Sequence, residues 1–382
     1  MRVAIVSKTF VADSAQRQLE WIAQQPGVEL TLITPPKWHA DDGRVLTFTP
    51  RFTNGYIHRA LPVFFNGRYH FYVYRGLLAA LRAVSPDLVH IDEEPYNPAG
   101  AQAQRAAGML GAPTVFVAWQ SIYRNYPPPY AWLERSNYRR TAHIIAGNAA
   151  TAAVLRRKGY AGPLSTFSLH GVDPKLYKPH PRTSARRAFT IGYIGRFVLY
   201  KGVGLLIEAL AGLPETCRLR LVGSGPDEAE LRRLAGEYGV ADRVEFAPAV
   251  PASEVPGVLA GMDVLALPSL TQPNWMEQFG RVLIESMACA VPVVGSDSGE
   301  IPNVIGDAGL IVPEGDVGAL RAALLSLLTQ PLLRESYAAQ GPQRVLERFT
   351  QEQVARKVLA VYSGVLGGRE RTRDTQQGVR SG

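Results

Sequence analysis

Two glutamates eight residues apart frame the stretch Glu277-Gln-Phe-Gly-Arg-Val-Leu-Ile-Glu285. On a single helix they would stand roughly 80° apart and share no face. The spacing makes chemical sense if Glu277 lies in the loop that follows Pro268 to Trp275. Glu285 then falls two turns inside a helix opened by Gly280. Between them the N–H groups of Phe279, Gly280 and Arg281 are left free at a helix start, where an anion is favoured. Carboxylates accept hydrogen bonds from hydroxyls, and open amides cradle phosphate. A hydroxyl-rich group, a phosphate and a second hydroxyl-bearing group in that order make a sugar nucleotide. Taken singly, Glu277 reads as a residue near a helix cap and Glu285 as a surface charge. Their spacing around a glycine-opened helix is what points to a site.

Upstream lie groups suited to a diphosphate. Gly192-Tyr-Ile-Gly195-Arg196 ends a strand in a glycine turn, and Lys201-Gly202 opens the next helix. A second turn, Gly223-Ser-Gly225-Pro226, follows the next strand. Small residues there let another backbone approach closely. Neither half has a Gly-x-Gly-x-x-Gly run at its first helix, so a nicotinamide or flavin fold has little support. No Asp-x-Asp occurs, and Cys217 and Cys289 make no metal-ligand spacing; two reduced, buried thiols are expected, and no metal.

The elements that must position these residues read as alternating β-rich runs and amphipathic stretches, the pattern of βαβ units. In the first half, strands are predicted at Val3–Ser7, Leu30–Thr34, Leu88–Ile91, Thr114–Val117 and His143–Ala146. Helices are predicted there at Ala15–Gln24, Tyr72–Val84, Pro98–Leu110 and Ala149–Lys158. Lys178 to Arg187, rich in Pro and Arg, suits a linker. In the second half, strands are predicted at Thr190–Ile194, Leu219–Val222, Val244–Phe246, Val264–Leu267, Val293–Gly295 and Gly309–Val312. The helices there are Val203–Ala211, Asp227–Tyr238, Gly280–Cys289 and Val317–Leu328. The expected fold is α/β, with two Rossmann-like doubly wound parallel-sheet domains, 1–180 and 181–349, facing a cleft. A helix over 350–366 should return to the first domain, and 367–382 should form a flexible tail.

Bulk properties bound the partners. With 46% hydrophobic and 19% charged residues, the chain is neither disordered nor membrane-spanning, and it has no apolar run long enough to cross a bilayer. The N-terminus begins directly as a strand, which favours the cytoplasm. The net charge of +8 is uneven: residues 1–184 hold 21 Lys and Arg against 11 Asp and Glu, the rest 20 against 22. The excess suggests an anionic partner on the first half, and nucleic acid, a phosphate-bearing acceptor and the inner face of an anionic membrane all fit, as does a solvated basic surface with no partner.

On these residues the sequence resembles the retaining family 4 glycosyltransferases of the GT-B fold. The resemblance rests on Gly195-Arg196 with Lys201-Gly202, Gly223-x-Gly225-Pro226 and Glu277-x7-Glu285. It extends through Pro292-Val-Val294, Ser296-Asp-Ser-Gly-Glu-Ile-Pro302 and Gly309-Leu-Ile-Val-Pro313. In the first half, Pro86-Asp-Leu-Val-His90 and Gly171-Val-Asp173 are similar to the same family. Glu93-Glu94-Pro95, with Trp119-Gln120 and Tyr126-Pro-Pro-Pro129, looks like one bacterial subgroup of it.

The resemblance implies a nucleotide-sugar donor held by Gly195, Arg196, Lys201, Gly223, Val250, Glu277, Phe279, Gly280, Arg281 and Glu285. Arg196 and Lys201 would neutralise the diphosphate, the amides would bind the distal phosphate, and Glu285 the ribose. Val250 would meet the base, and Glu277 would hold the transferred sugar. Glu93, Glu94, Trp119 and Gln120 would lie on the side of a glycan or lipid-linked acceptor. Three positions depart from the family: the loop Lys8 to Ser14 has no glycine, Gln120 stands where many members have His, and His170 where many have Asn. Two alternatives stay open, another GT-B enzyme (an epimerase or phosphorylase) and a basic nucleic-acid-binding protein. The second leaves Glu277 and Glu285 without a role, so no nucleic-acid partner is expected.

Overall fold

A computed structural model of the chain describes residues 1–12, 16–40, 43–179 and 188–378, with side chains as far as residue 368. It divides into two compact units: Met1–Leu169 joined by the chain from Gln351 onward, and His170–Thr350.

The first unit runs β1 (Arg2–Ser7), α1 (Arg17–Ala23), β2 (Glu29–Thr34), β3 (Lys37–His39), β4 (Val45–Thr47), β5 (Tyr56–Ala60), β6 (Val63–Phe64) and β7 (Val73–Tyr74). It continues through α2 (Leu77–Val84), β8 (Leu88–Asp92), α3 (Pro98–Met109), β9 (Thr114–Ala118), α4 (Tyr130–Arg140), β10 (His143–Ala146), α5 (Ala149–Arg157) and β11 (Leu164–Thr166). Seven strands form one parallel sheet in the order β11-β10-β9-β8-β1-β2-β5. Runs such as Val3-Ala-Ile-Val6 and Val115-Phe-Val117 are apolar throughout because both faces of a parallel sheet are covered. The short hairpins β3–β4 and β6–β7 stand outside this sheet.

The second unit runs β12 (Phe189–Arg196), α6 (Val203–Ala211), β13 (Cys217–Ser224), α7 (Glu228–Glu237), β14 (Val244–Ala247), α8 (Val255–Leu259) and β15 (Val264–Leu267). Then come α9 (Arg281–Ala288), β16 (Val293–Ser296), α10 (Ile301–Ile305), β17 (Leu310–Val312), α11 (Val317–Thr329) and α12 (Pro331–Arg348). Its sheet is also parallel, in the order β14-β13-β12-β15-β16-β17. In both sheets the strand order reverses beside the first strand, between β1 and β8 and between β12 and β15. Those are the points where such sheets open a crevice at their carboxyl ends.

Several expectations are corrected. The chain passes from the first unit to the second at residue 170, not 180, because Val172 and Tyr177 join the second core and the Val172 N–H donates to the Phe349 carbonyl. Most of the expected linker lies outside the described residues. The last helix, α13 (Gln351–Gly378), runs well past 366 into the expected tail, which holds no proline to stop it. Val354, Val358, Val361 and Tyr362 of α13 pack with Val3, Ile5 and Leu19 of the first unit. The predicted helix over 72–84 begins only at Leu77, since Gly76 takes a left-handed φ of 72° and Val73–Tyr74 is strand β7. The unforeseen α12 presses on α9, where a Cβ on Gly341 would lie 3.0 Å from the Met287 carbonyl oxygen. Both cysteines are buried and unpaired.

Candidate functional site

The carboxyl ends of β12, β13 and β15 carry backbone turns that only glycine permits. Gly223 has φ 153°, and a Cβ there would lie 1.9 Å from the Gly195 carbonyl oxygen. On Gly225 it would meet the Phe197 carbonyl oxygen at 2.1 Å, and on Gly202 (φ 68°) the Pro268 carbonyl oxygen at 1.9 Å. The glycines thus let the loops after β12, β13 and β15 close on one another. Asp227 holds the turn from the side, its Oδ2 accepting from the Leu199 N–H at 2.6 Å.

This closure brings Lys201, 76 residues away in sequence, onto Glu277. Lys201 Nζ lies 2.6 Å from Glu277 Oε2, and the Ser269 hydroxyl donates to the same oxygen at 2.9 Å. Nζ also sits 4.8 Å from the centre of the Trp275 ring, which packs at a tilt on Tyr200 with ring centres 4.3 Å apart. The backbone of Glu277 is clamped too, its carbonyl accepting from the Glu300 N–H at 3.0 Å. Gly299 (φ 53°) makes room, since a Cβ there would approach that carbonyl oxygen to 2.1 Å. Arg196 is exposed at the end of β12, with no ion pair among the described residues.

Three residues beyond Glu277, the chain turns into α9. Gly280 takes a left-handed φ of 77°, and no side chain caps the helix. The N–H groups of Phe279 and Gly280 have no acceptor among the described residues. Phe279 itself is buried, its ring packed near His170 and Phe349. Glu285 is the fifth residue of α9, so it lies just over one turn inside and not two. It is buried, not a surface charge. Its Oε1 accepts from Arg281 Nε at 2.7 Å and from the Tyr177 hydroxyl at 3.3 Å. Burial pushes its carboxyl above the ordinary range, with Arg281 and Tyr177 pulling the other way. Val250 is half-buried after β14 and packs on the same core.

The first unit gathers charge at its own switch point. Lys8, after β1, pairs with Glu93, after β8, at 2.6 Å. The rings of Trp38, Tyr69 and Tyr72 surround the ammonium, and the Tyr72 hydroxyl donates to Glu93 Oε1. Burial opposes both charges: Glu93 ends above its usual range, while its carboxylate holds Lys8 protonated above its own. Glu94 accepts from the Trp119 N–H at 2.7 Å, and burial raises its carboxyl to about 7. Gln120 accepts from Lys158 at 3.0 Å, and Lys158 pairs with Glu134 at 2.7 Å. Glu93 is therefore committed to Lys8 and Tyr72, while Glu94, Trp119 and Gln120 are half-buried.

Sequence reading missed Tyr177, Ser269, Trp275 and Gly299. Tyr177 and Glu285 are 108 residues apart and carry no shared signal. The ion pair of Arg281 with Glu285 was visible as an i, i+4 spacing. Among the described residues no three His, Cys, Asp or Glu side chains group as a metal site, and no helix is long and apolar enough to cross a membrane.

Two family models match the chain. "Glycosyl transferases group 1" matches residues 180–344, and "Glycosyltransferase Family 4" matches residues 17–176. A GDP-mannose-dependent alpha-(1-6)-phosphatidylinositol monomannoside mannosyltransferase of Mycolicibacterium smegmatis is 33% identical over 51% of this chain and 55% of its own length. The chain thus spans about half the length of that relative. A D-inositol 3-phosphate glycosyltransferase of Stackebrandtia nassauensis is 29% identical over 76% of this chain and 72% of its own. Among solved structures, HepE of Anabaena in complex with UDP aligns with a TM-score of 0.72 at 18% identity, covering 95% of this chain and all (100%) of that one. At that identity the likeness shows the fold, two doubly wound parallel-sheet units of the GT-B class.

Proposed function

The chain belongs to the glycosyltransferases that the group 1 and family 4 models describe, and we propose that it moves a sugar from a UDP- or GDP-sugar to a hydroxyl of a glycan or lipid-linked acceptor. One observation carries this reading. In the second unit, Glu277 with Lys201, the open amides of Phe279 and Gly280, and buried Glu285 succeed one another along the start of α9. The GDP-mannose dependence of the mycobacterial relative and the UDP held by HepE both support a nucleoside diphosphate there.

In this reading the Phe279 and Gly280 amides bind the distal phosphate, where the helix dipole favours negative charge. Gly195 and Gly223 let the diphosphate approach the backbone, and Arg196 and Lys201 neutralise it. A lysine ammonium has three N–H donors, so Lys201 can serve Glu277 and a phosphate oxygen together. Glu285, oriented by Arg281 and Tyr177, takes the ribose hydroxyls, and the backbone of Val250 meets the base. Glu277 holds the hydroxyls of the transferred sugar beside the anomeric carbon. The first unit takes the acceptor, with Glu94, Trp119 and Gln120 near it, and works at the cytoplasmic face of a membrane.

Transfer proceeds with retention. The acceptor oxygen bonds to the anomeric carbon on the face from which the diphosphate leaves, and the acceptor proton passes to the departing phosphate oxygen. Catalysis comes from positioning and from the two cations, without a metal. The test is to supply GDP-mannose or UDP-glucose with candidate acceptors in excess chelator and to assign the product anomer by NMR. Unchanged turnover with the donor's anomeric configuration is expected. Loss of activity restored by magnesium or manganese, or an inverted product, would contradict the reading.

A further inference from the structure

The first unit carries a surface that the transfer chemistry leaves unused. From Gly43 to Pro86 the chain has six arginines and no aspartate or glutamate, although 33 acidic residues occur in the whole chain. In the middle of this stretch stands the β6–β7 hairpin, paired as Val63 with Tyr74 and Phe64 with Val73. Its connecting loop and its base are both tied down. The Asn66 side chain accepts from the His39 N–H at 3.0 Å and donates to the Lys37 carbonyl at 2.8 Å. The Tyr74 N–H donates to Gln102 Oε1 at 2.8 Å, and Gln102 Nε2 donates to the Tyr74 carbonyl at 2.7 Å.

The tip of this anchored hairpin is apolar and in water. Phe64 is 52% exposed, Phe65 55%, Phe71 49% and Tyr69 40%. The Phe65 and Phe71 rings lie 4.9 Å apart, and the Arg75 guanidinium sits 5.3 Å over the Phe64 ring. Phe65 holds a left-handed φ of 58°, a conformation unfavourable for an aromatic residue. Arg68 is exposed between the phenylalanines. Phenylalanines presented on an anchored loop, with arginines beside them in a stretch that holds no acidic residue of its own, form an amphipathic face of a single charge sign.

We propose that the β6–β7 hairpin docks on an anionic lipid bilayer. Phe64, Phe65 and Phe71 enter the boundary between headgroups and acyl chains, while Arg68 and Arg75 meet lipid phosphates. Charge complementarity selects this occupant. A second copy meeting the same face across a two-fold axis would set arginines against arginines. The inference rests on the reading that the first unit works at a membrane, but the surface needs no donor and no transfer step, so vesicle binding and sugar transfer can fail separately.

Flotation of the full-length protein with vesicles tests it, using phosphatidylcholine alone and phosphatidylcholine mixed with phosphatidylglycerol, at low and high salt. Wild type should float with the anionic vesicles only, and less at high salt. The double variant Phe65→Ser with Phe71→Ser should lower partitioning about tenfold, and Arg68→Gln with Arg75→Gln by a similar factor at low salt. Both should melt near the wild-type temperature and bind nucleoside diphosphate as wild type does; the arginine pair, fully at the surface, serves if the phenylalanine pair fails to fold. Equal flotation on both vesicle types would overturn the proposal, as would wild-type binding by the arginine variant. Self-association of wild type that these substitutions abolish would also overturn it, in favour of a second copy.

Discussion

The two switch points of this chain place the same pair of groups in the same topological positions. A lysine comes after the first strand and a glutamate after the neighbouring fourth, joined at 2.6 Å in both units: Lys8 with Glu93, and Lys201 with Glu277. The helix starts beyond the two glutamates differ. In the first unit Asn97 caps α3, its side chain accepting from the Ala99 N–H, and Pro98 supplies no donor at the first position. In the second, Gly280 opens α9 with no side-chain cap, and the N–H groups of Phe279 and Gly280 have no acceptor among the described residues. The surroundings differ as well, since three aromatic rings wrap Lys8 and the Glu93 side chain is 0% exposed, against 8% for Glu277. One arrangement has its helix start filled from within and the other leaves it available to an anion. The first ion pair thus reads as structural, and the second is the one to which the proposed function gives a role.

Isosteric removal of each carboxylate tests that contrast. Glu277→Gln should lower turnover by about 10²- to 10³-fold with little change in donor affinity, because its charge acts on the reacting sugar. Weaker donor binding at unchanged turnover would make it a binding residue only. Glu93→Gln should instead cost about 3 kcal/mol of stability in urea unfolding, by leaving the Lys8 charge buried without its partner. A stable Glu93→Gln protein with crippled turnover would erase the distinction between the two pairs.

A third substitution reads the first unit through pH. Burial holds the Glu94 carboxyl at about 7, so the folded chain keeps that proton where the unfolded chain has lost it. Its stabilising contribution is full below about pH 4.5 and is lost as the pH rises through 7. His90, buried beside Tyr362 and pushed down to about 4, acts in the opposite sense and favours the folded chain as the pH rises through 6.5. The two slopes offset one another between about pH 4.5 and 6.5. Glu94→Gln removes one of them, so the variant should gain about 2 kcal/mol over wild type between pH 5 and 7.5, measured by urea unfolding at each pH. A constant difference across that range would mean that Glu94 titrates as an exposed carboxylate.

The residues of the proposed donor side could be picked out from sequence because they are local in it. Glu277, the amides at Gly280, and Glu285 lie on one short stretch, and the glycine turns announce themselves by composition. Lys201, Ser269 and Tyr177 reach the two carboxylates only through the parallel sheet, which brings distant loops to one edge. Spacing cannot show such contacts. The strand β5 and the hairpins β3–β4 and β6–β7 were hidden in a stretch rich in Gly, Pro and Arg, where apolar periodicity is weak. Helix α12 was hidden by Gly341-Pro342, which reads as a break, although Gly341 serves the packing on α9. Glu93 and Glu94 were picked out by type, but only the structure separates the buried ion pair of one from the raised carboxyl of the other.

The most direct test of the donor site is calorimetric titration of UDP and GDP into wild type, Lys201→Ala and Glu285→Ala. Wild type should bind one of the two nucleotides. Each variant should weaken that binding by about tenfold or more, through a lost phosphate cation and a lost ribose acceptor respectively. Binding of neither nucleotide, or affinity unchanged in both variants, would contradict the assignment of the α9 start to a sugar nucleotide.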